Sequence, residues 1–448
     1  MEVIKKAIMV SCICILSNLI FGATVYAGYT SCGTGCYRTD TCSQSDFNSA
    51  HSAASDGNTI QISSGDCNWS STSTVTKGIN VIGDGIDITN LTQTTASSPI
   101  FDFSVAEGKS WSISYLTIKD NGGDNANGVF AITGSNKSWR VHHIKLSNIT
   151  RRGIFITGHT YGVIDHCTFT KTGSAEYNSI YIQEASSQGD INNVHTTWTR
   201  AIPAGTANAV FVEDCTFDFA ALNDGAVDGR NGAKLVFRYN DVKNTLIGGH
   251  GCDSVIRSFM WVEAYNNTFH TTTSIWMAIQ FRGGTGLMYN NSIDSGYGTA
   301  IGLTNYRSTT ASNPCSVCDG GDWCCMGGGH RTCDGNDSTD GNTSPIETYH
   351  GWPCRDQIGR GTNQGSYPLY TWNNGGKTAS TYCDSGDCAY VTTHIQSNRD
   401  YYNATDLSDA ISKGLYTYYP SYTAYTYPHP LTGTASLSGV KISGGSVR

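Results

Sequence analysis

The chain has 448 residues, a formal net charge of −8 and only 14% charged residues, against about 25% in ordinary globular proteins. Its 51 Gly, with abundant Ser, Thr and Asn, exclude a coiled coil or a charged helical bundle. No basic patch is present to meet nucleic acid or an anionic membrane.

Residues 1–27 read as a secretory signal peptide. Lys5 and Lys6 precede an apolar run from Ala7 to Phe21, and Val25-Tyr26-Ala27 places small residues at the cleavage positions. No second span follows, so the expected mature protein is monomeric, without a membrane span, and secreted, extracellular or periplasmic. Of 17 Cys, Cys12 and Cys14 leave with the signal, and eight crowd between Cys315 and Cys388. In an oxidising compartment such crowding reads as disulfides; the alternative is zinc bound at Cys315-x-x-Cys318 and its neighbours.

Residues 28–58 form a Cys-containing segment that ends in a short helix, Ser45 to Ala54, expected to cover the open end of a repetitive region. From the strand Thr59–Ile62 onward a phrase recurs. It reads Val163-Ile-Asp-His-Cys-Thr-Phe169, Val212-Glu-Asp-Cys-Thr-Phe217, Phe237-Arg-Tyr-Asn-Asp-Val242, Val262-Glu-Ala-Tyr-Asn-Asn-Thr-Phe269 and Leu287-Met-Tyr-Asn-Asn-Ser-Ile293. A unit of about two dozen residues with three short strands cannot bury its apolar side alone, but stacked at ~4.8 Å it builds a continuous core. The spacing predicts an all-β fold, a single-stranded right-handed parallel β-helix over 59–311, with Asn240, Asn267 and Asn291 forming an internal amide ladder.

One step, from Phe169 to Phe217, is long, and Gln183 to Ala209 reads as an insertion between first and second strands. Cys167 and Cys215 then share a ladder position in adjacent coils, at a separation that suits a disulfide. Residues 312–431 are expected to form a disulfide-rich, loop-rich C-terminal cap along the far end or side, and 432–448 a flexible tail.

The opening Ala53 to Ile62, Ser64-Gly-Asp66 and Lys77-Gly-Ile-Asn-Val-Ile-Gly-Asp-Gly85, with the coil phrase, resembles the pectin-lyase-like superfamily of secreted right-handed β-helix proteins, over roughly residues 45–310. The Cys-rich C-terminal part looks like an extension found in secreted bacterial members. The superfamily holds polysaccharide lyases, glycoside hydrolases and binding proteins, so the resemblance implies a polysaccharide partner and leaves the chemistry to the site.

The corner after the first strand collects His159, Glu184, Asp228, Arg230, His250, Asp253 and Arg282 in successive coils. A uronate lyase must neutralise a carboxylate, withdraw the proton beside it and protonate the leaving oxygen. Asp224 and Asp228 are candidates to hold Ca²⁺, Arg230 or Arg257 to act as base, and His250 as acid; His159, Glu184 and Arg282 are candidates for substrate binding. A hydrolase of polygalacturonase type would need a carboxyl pair. Here Asn223-Asp224-Gly225 and Gly249-His250-Gly251 match parts of that family's pattern, but no Asp-Asp pair lies between them. A non-catalytic glycan-binding or structural surface protein is the alternative.

Overall fold

A computed structural model describes residues 28–96, 98–121, 127–150, 152–172, 178–184, 199–221, 225–249, 258–304, 357–382 and 395–433. The expected signal peptide, the cysteines from Cys315 to Cys354 with Cys383 and Cys388, and most of the expected tail lie outside these residues.

The described chain is all-β. A 20-stranded and a 10-stranded sheet run its length, and apart from the antiparallel hairpin of Tyr29–Gly33 with Cys36–Thr39 the strands pair in parallel with their counterparts in the next repeat. The arrangement is compatible with a β-helical solenoid. One rung shows the rule. Ile154–Thr157 lies in the smaller sheet, and Gly162–Asp165 and Thr168–Lys171 lie in the larger. The next rung stacks Ile180 on Ile154, Val212 on Ile164 and Phe217 on Phe169. Side chains of a strand alternate between faces, so in-register stacking turns each inward position into an apolar column; all six of these residues are buried in one cluster.

The corner between the two strands of the larger sheet explains the recurring phrase. The chain bends there through one left-handed residue per rung, including Tyr115, His143, His166, Asp214, Tyr239, Asn266, Asn290 and Asn373, with φ between 50° and 57°. The bend turns the following backbone amide inward, where no strand can receive it. Asn side chains solve this. Asn240 Oδ1 accepts the Cys215 amide at 2.9 Å, Asn267 Oδ1 accepts the Asn240 amide at 3.0 Å, and Asn291 Oδ1 accepts the Asn267 amide at 3.1 Å. The expected ladder is present, and it extends to Asn374, whose Oδ1 takes the Asn291 amide at 3.0 Å.

Cys167 and Cys215 do stack at the ladder position, but both are free thiols. In-register parallel neighbours hold their Cα–Cβ bonds side by side at the strand spacing of roughly 4.8 Å, wider than the ~3.8 Å Cβ separation a disulfide needs. Each sulfur instead faces backbone carbonyls, Cys167 that of Asp165 at 3.4 Å and Cys215 that of Glu213 at 3.3 Å. The described disulfides are Cys32–Cys36 and Cys42–Cys67.

The stack also outruns the expected limits of 59 and 311. Cys36–Thr39 already pairs in parallel with Thr59–Ile62. Beyond residue 311, Leu369–Trp372 stacks on Thr285–Tyr289, Ala379–Thr381 on Tyr297–Leu303, and Tyr401–Asn403 on Leu369–Trp372.

A helix over Gln44–Ala53, capped by Ser43 accepting the Asp46 amide, lays Phe47 against Trp69 and Phe101 at the first rungs. At the other end of the sequence two short helices, Leu407–Ser412 and Leu415–Tyr418, lead into a strap that reaches Thr432. The strap runs along the side of the stack and covers the outer face of the larger sheet. There Val163, Phe211, Val236, Leu287 and Tyr370 form a second apolar cluster with Ala410, Leu415, Tyr419 and Tyr422. No described helix is long and apolar enough to cross a membrane.

Candidate functional site

The corner between the smaller and the larger sheet gathers ionisable side chains from three successive rungs. Gly158, which ends the turn after Ile154–Thr157, has φ 109°, and a Cβ there would lie 2.3 Å from the Gly134 carbonyl oxygen. This glycine lets the chain turn tightly and deliver His159 and Tyr161. Glu184 follows the strand Asn178–Gln183 one rung later, and Lys234 opens Lys234–Arg238 in the rung after that.

Glu184 is the hub. Its side chain is 2% exposed, and its Oε1 lies 2.5 Å from His159 Nδ1. The Tyr161 hydroxyl donates to the same oxygen at 2.7 Å and accepts from Lys234 Nζ at 3.1 Å. Lys234 Nζ stands 3.5 Å from Glu184 Oε2, and Arg200 Nε 3.7 Å from Oε1. Burial pushes the Glu184 carboxyl up, but the His159 hydrogen bond, the Lys234 charge and the Tyr161 hydroxyl outweigh it and hold the group below its ordinary range. Burial lowers Lys234, against the pull of Glu184. Burial and the adjacent Glu184 carboxylate raise Tyr161, which stays a neutral donor.

An ionised carboxylate can only accept, so His159 donates to Glu184 from Nδ1, which leaves Nε2 on the far side of the ring. The His159 side chain is 20% exposed. A buried carboxylate that orients a part-exposed imidazole is the arrangement a general base needs.

Beside this hub, on the outer face of the smaller sheet, Asp228 stacks in register on Tyr181. Asp228 Oδ2 accepts from Arg230 Nη2 at 3.0 Å and from Asn178 Nδ2 at 3.3 Å. The Arg230 guanidinium sits 4.4 Å from the Tyr181 ring centre and that of Arg152 4.1 Å from it, while Tyr181 stacks on Phe155 at 5.0 Å. These contacts occupy the oxygen expected to face calcium. They also give the guanidinium expected to act as base a carboxylate partner.

The structure thus brings together His159 with Glu184, and Asp228 with Arg230. Arg282 follows Ile275–Phe281, two rungs above Arg230. Asp224, His250, Asp253 and Arg257 lie outside the described residues. Among the described residues no group of three or more His, Cys, Asp or Glu is placed to hold a metal ion. Tyr161, Arg200, Lys234 and Arg152 carry no motif that singles them out in the sequence. The one signal is Lys234, a cation opening the apolar run Lys234-Leu-Val-Phe237.

A second cluster occupies the left-handed corner. Arg140 forms a two-pronged pair with Asp165, both bonds 2.8 Å. Asp165 also meets His166 Nδ1 at 2.9 Å, and the rings of Tyr115, His143 and His166 stack at 4.9 Å intervals. Arg140 Nη1 donates to the Thr432 carbonyl at 2.9 Å, so this cluster anchors the end of the strap.

No family model matches the chain, and no curated protein matches it.

Proposed function

We propose that this chain is a secreted right-handed parallel β-helix of the pectin-lyase-like kind that binds an acidic extracellular polysaccharide and cleaves it by β-elimination. The observation that carries the reading is the His159–Glu184 pair, set in a corner that also holds Arg200, Arg230 and Lys234, with Arg152 over Tyr181 on the smaller sheet. In a chain with so few charges and a net charge of −8, this local concentration of cations suits a uronate carboxylate.

In this reading Arg200 and Arg230 draw the carboxylate of the sugar. His159 Nε2 takes the proton at the carbon beside it. The electron pair left behind forms a carbon–carbon double bond as the bond to the leaving oxygen breaks. The imidazolium, steadied by Glu184, returns its proton to that oxygen. Atoms and charge balance with no further reagent.

Incubation with polygalacturonate, alginate and glycosaminoglycans, with and without Ca²⁺, tests the reading through the absorbance of the unsaturated uronate product. One polymer should give turnover, and His159→Ala should reduce kcat by roughly 10²–10⁴-fold without abolishing binding. The paired Asp228 and Arg230 favour a second reading, in which the corner binds an acidic glycan without cutting it. Binding with no absorbance across the panel selects that reading, and absence of both overturns the two together.

A further inference from the structure

Arg200 reaches Glu184 from the segment 199–205, which forms no strand. Its place is set at both ends by residues far away in sequence. At one end Thr362 Oγ1 donates to the Arg200 carbonyl at 3.0 Å and accepts the Ile202 amide at 3.1 Å. Beside it, a Cβ on Gly361 would lie 2.3 Å from Ile202 Cδ1, so the turn that carries Thr362 packs closely against the segment. That turn is itself fixed to the stack, with the Gly359 amide donating to the Gly284 carbonyl at 2.9 Å.

At the other end the Gly205 amide donates to Glu263 Oε1 at 3.0 Å. Glu263 is fully buried, and the Trp261 indole at 3.2 Å and the Tyr422 hydroxyl of the strap at 2.8 Å share its carboxylate. Thr362 and Glu263 therefore act on Arg200 through the backbone of the segment that carries it.

We infer that Thr362 and Glu263 are positioning residues of the corner site, clamping 199–205 so that the Arg200 guanidinium is held over Glu184 and is presented to an anionic substrate. The consequence of the clamp for substrate rests on the proposed function, whereas its effect on the segment does not. The two are separable because Arg200 touches the carboxylate side of the site, whereas His159 does the proton transfer.

Thr362→Val keeps shape and removes both hydrogen bonds; Thr362→Ser restores them and serves as the rescue. In Thr362→Val, exchange of the Ile202 amide and modification of Arg200 by phenylglyoxal, mapped by mass, should each accelerate by about tenfold or more. Thr362→Ser should return both to the parent rate, with the denaturation midpoint little changed. On a uronate oligomer, KM should rise roughly fivefold with kcat within about twofold, since a lost carboxylate contact weakens binding rather than proton transfer. Parent-like exchange and modification in Thr362→Val overturn the clamp whatever the enzyme does. Faster exchange with unchanged KM overturns the role of Arg200. Absence of turnover by the parent chain sinks the proposed function, and the clamp then stands or falls on exchange and modification alone.

Discussion

Replacing Asn267 by Ala tests the internal ladder at its centre. The Asn267 side chain makes four buried hydrogen bonds. Its Nδ2 donates to the Phe237 carbonyl and to Asn291 Oδ1, both at 2.9 Å, and its Oδ1 accepts the Asn240 amide at 3.0 Å and Asn240 Nδ2 at 3.1 Å. Asn240 Nδ2 keeps its bond to Val212, and Asn291 Oδ1 keeps the Asn267 amide. The Asn240 amide and the Phe237 carbonyl lose the partners they have here. Two orphaned buried groups at ~1–3 kcal/mol each give an expected loss of about 2–6 kcal/mol. Thr268→Ala, at an exposed position on the next strand, should cost no more than about 1 kcal/mol. Urea denaturation reads the difference, and hydrogen exchange at the Asn240 amide reports whether the loss is local to the ladder. If Asn267→Ala matched Thr268→Ala, and the Asn240 amide stayed protected, the inward amides would not be carrying the corners, and the rung register would be wrong.

Four further outcomes are expected. Burial, with the Arg140 charge next and Asp165 opposing, pulls His142 down to about 3, so between that value and the ordinary 6.5 the unfolded chain binds a proton the folded chain refuses. Stability therefore falls on acidification through this window, by about 2 kcal/mol from this residue by pH 5, and His142→Phe should flatten the curve. The hydrogen bond to Asp165 raises His166. Its contribution has the opposite sign, present below the ordinary pKa and lost as pH rises through the raised one, so His166→Ala should cost more at acid than at alkaline pH in thermal melts. Arg238→Met should lose roughly 3–5 kcal/mol in chemical denaturation by stranding the buried Glu213 carboxylate, which Arg238 meets at 2.6 Å, and adding Glu213→Gln should recover part of it. Cys167 and Cys215 should resist alkylation in the folded chain and react together on unfolding without reductant, and a mass showing them bonded to each other would contradict the free thiols.

The repeats were legible because stacking imposes the same demand at the same place in every rung. The phrase ending Asn-Asn-Thr-Phe269 records a left-handed bend followed by an inward amide, and both stand where the phrase puts them. The long step from Phe169 to Phe217 falls between Asn178–Gln183 and Val210–Glu213, at the corner the spacing assigned. The last rungs escaped notice for a physical reason too. Asn374 repeats the role of Asn291, and Tyr370-Thr-Trp-Asn-Asn374 repeats the wording, but 83 residues separate the two asparagines instead of 24 or 27. The hub around Glu184 left no local motif. Tyr161 and Lys234 are 73 residues apart and meet only because two rungs of stacking bring their corners together. The pairing of Asp228 with Arg230 was equally hidden, since sequence gives the column a residue occupies but not which way its charge turns.

The strap bears on where a substrate can reach the chain. A polymer lying along a stack of parallel strands needs an open outer face, and the larger sheet does not offer one over the rungs from Val163 to Tyr370. Those side chains are buried beneath Tyr419 and Tyr422, and Arg238 fixes the strap by donating to the Tyr425 and Thr426 carbonyls at 2.7 and 2.9 Å. Opening that face would expose an apolar surface and strand Glu263, whose carboxyl burial already raises, so it carries a cost that substrate binding alone would have to offset. At the corner of His159 and Arg200 both side chains reach solvent, 20% and 32% exposed. In the proposed function, an acidic chain would meet the guanidiniums on Tyr181 and Nε2 of His159 along the smaller sheet, beside rather than over the face that the strap covers.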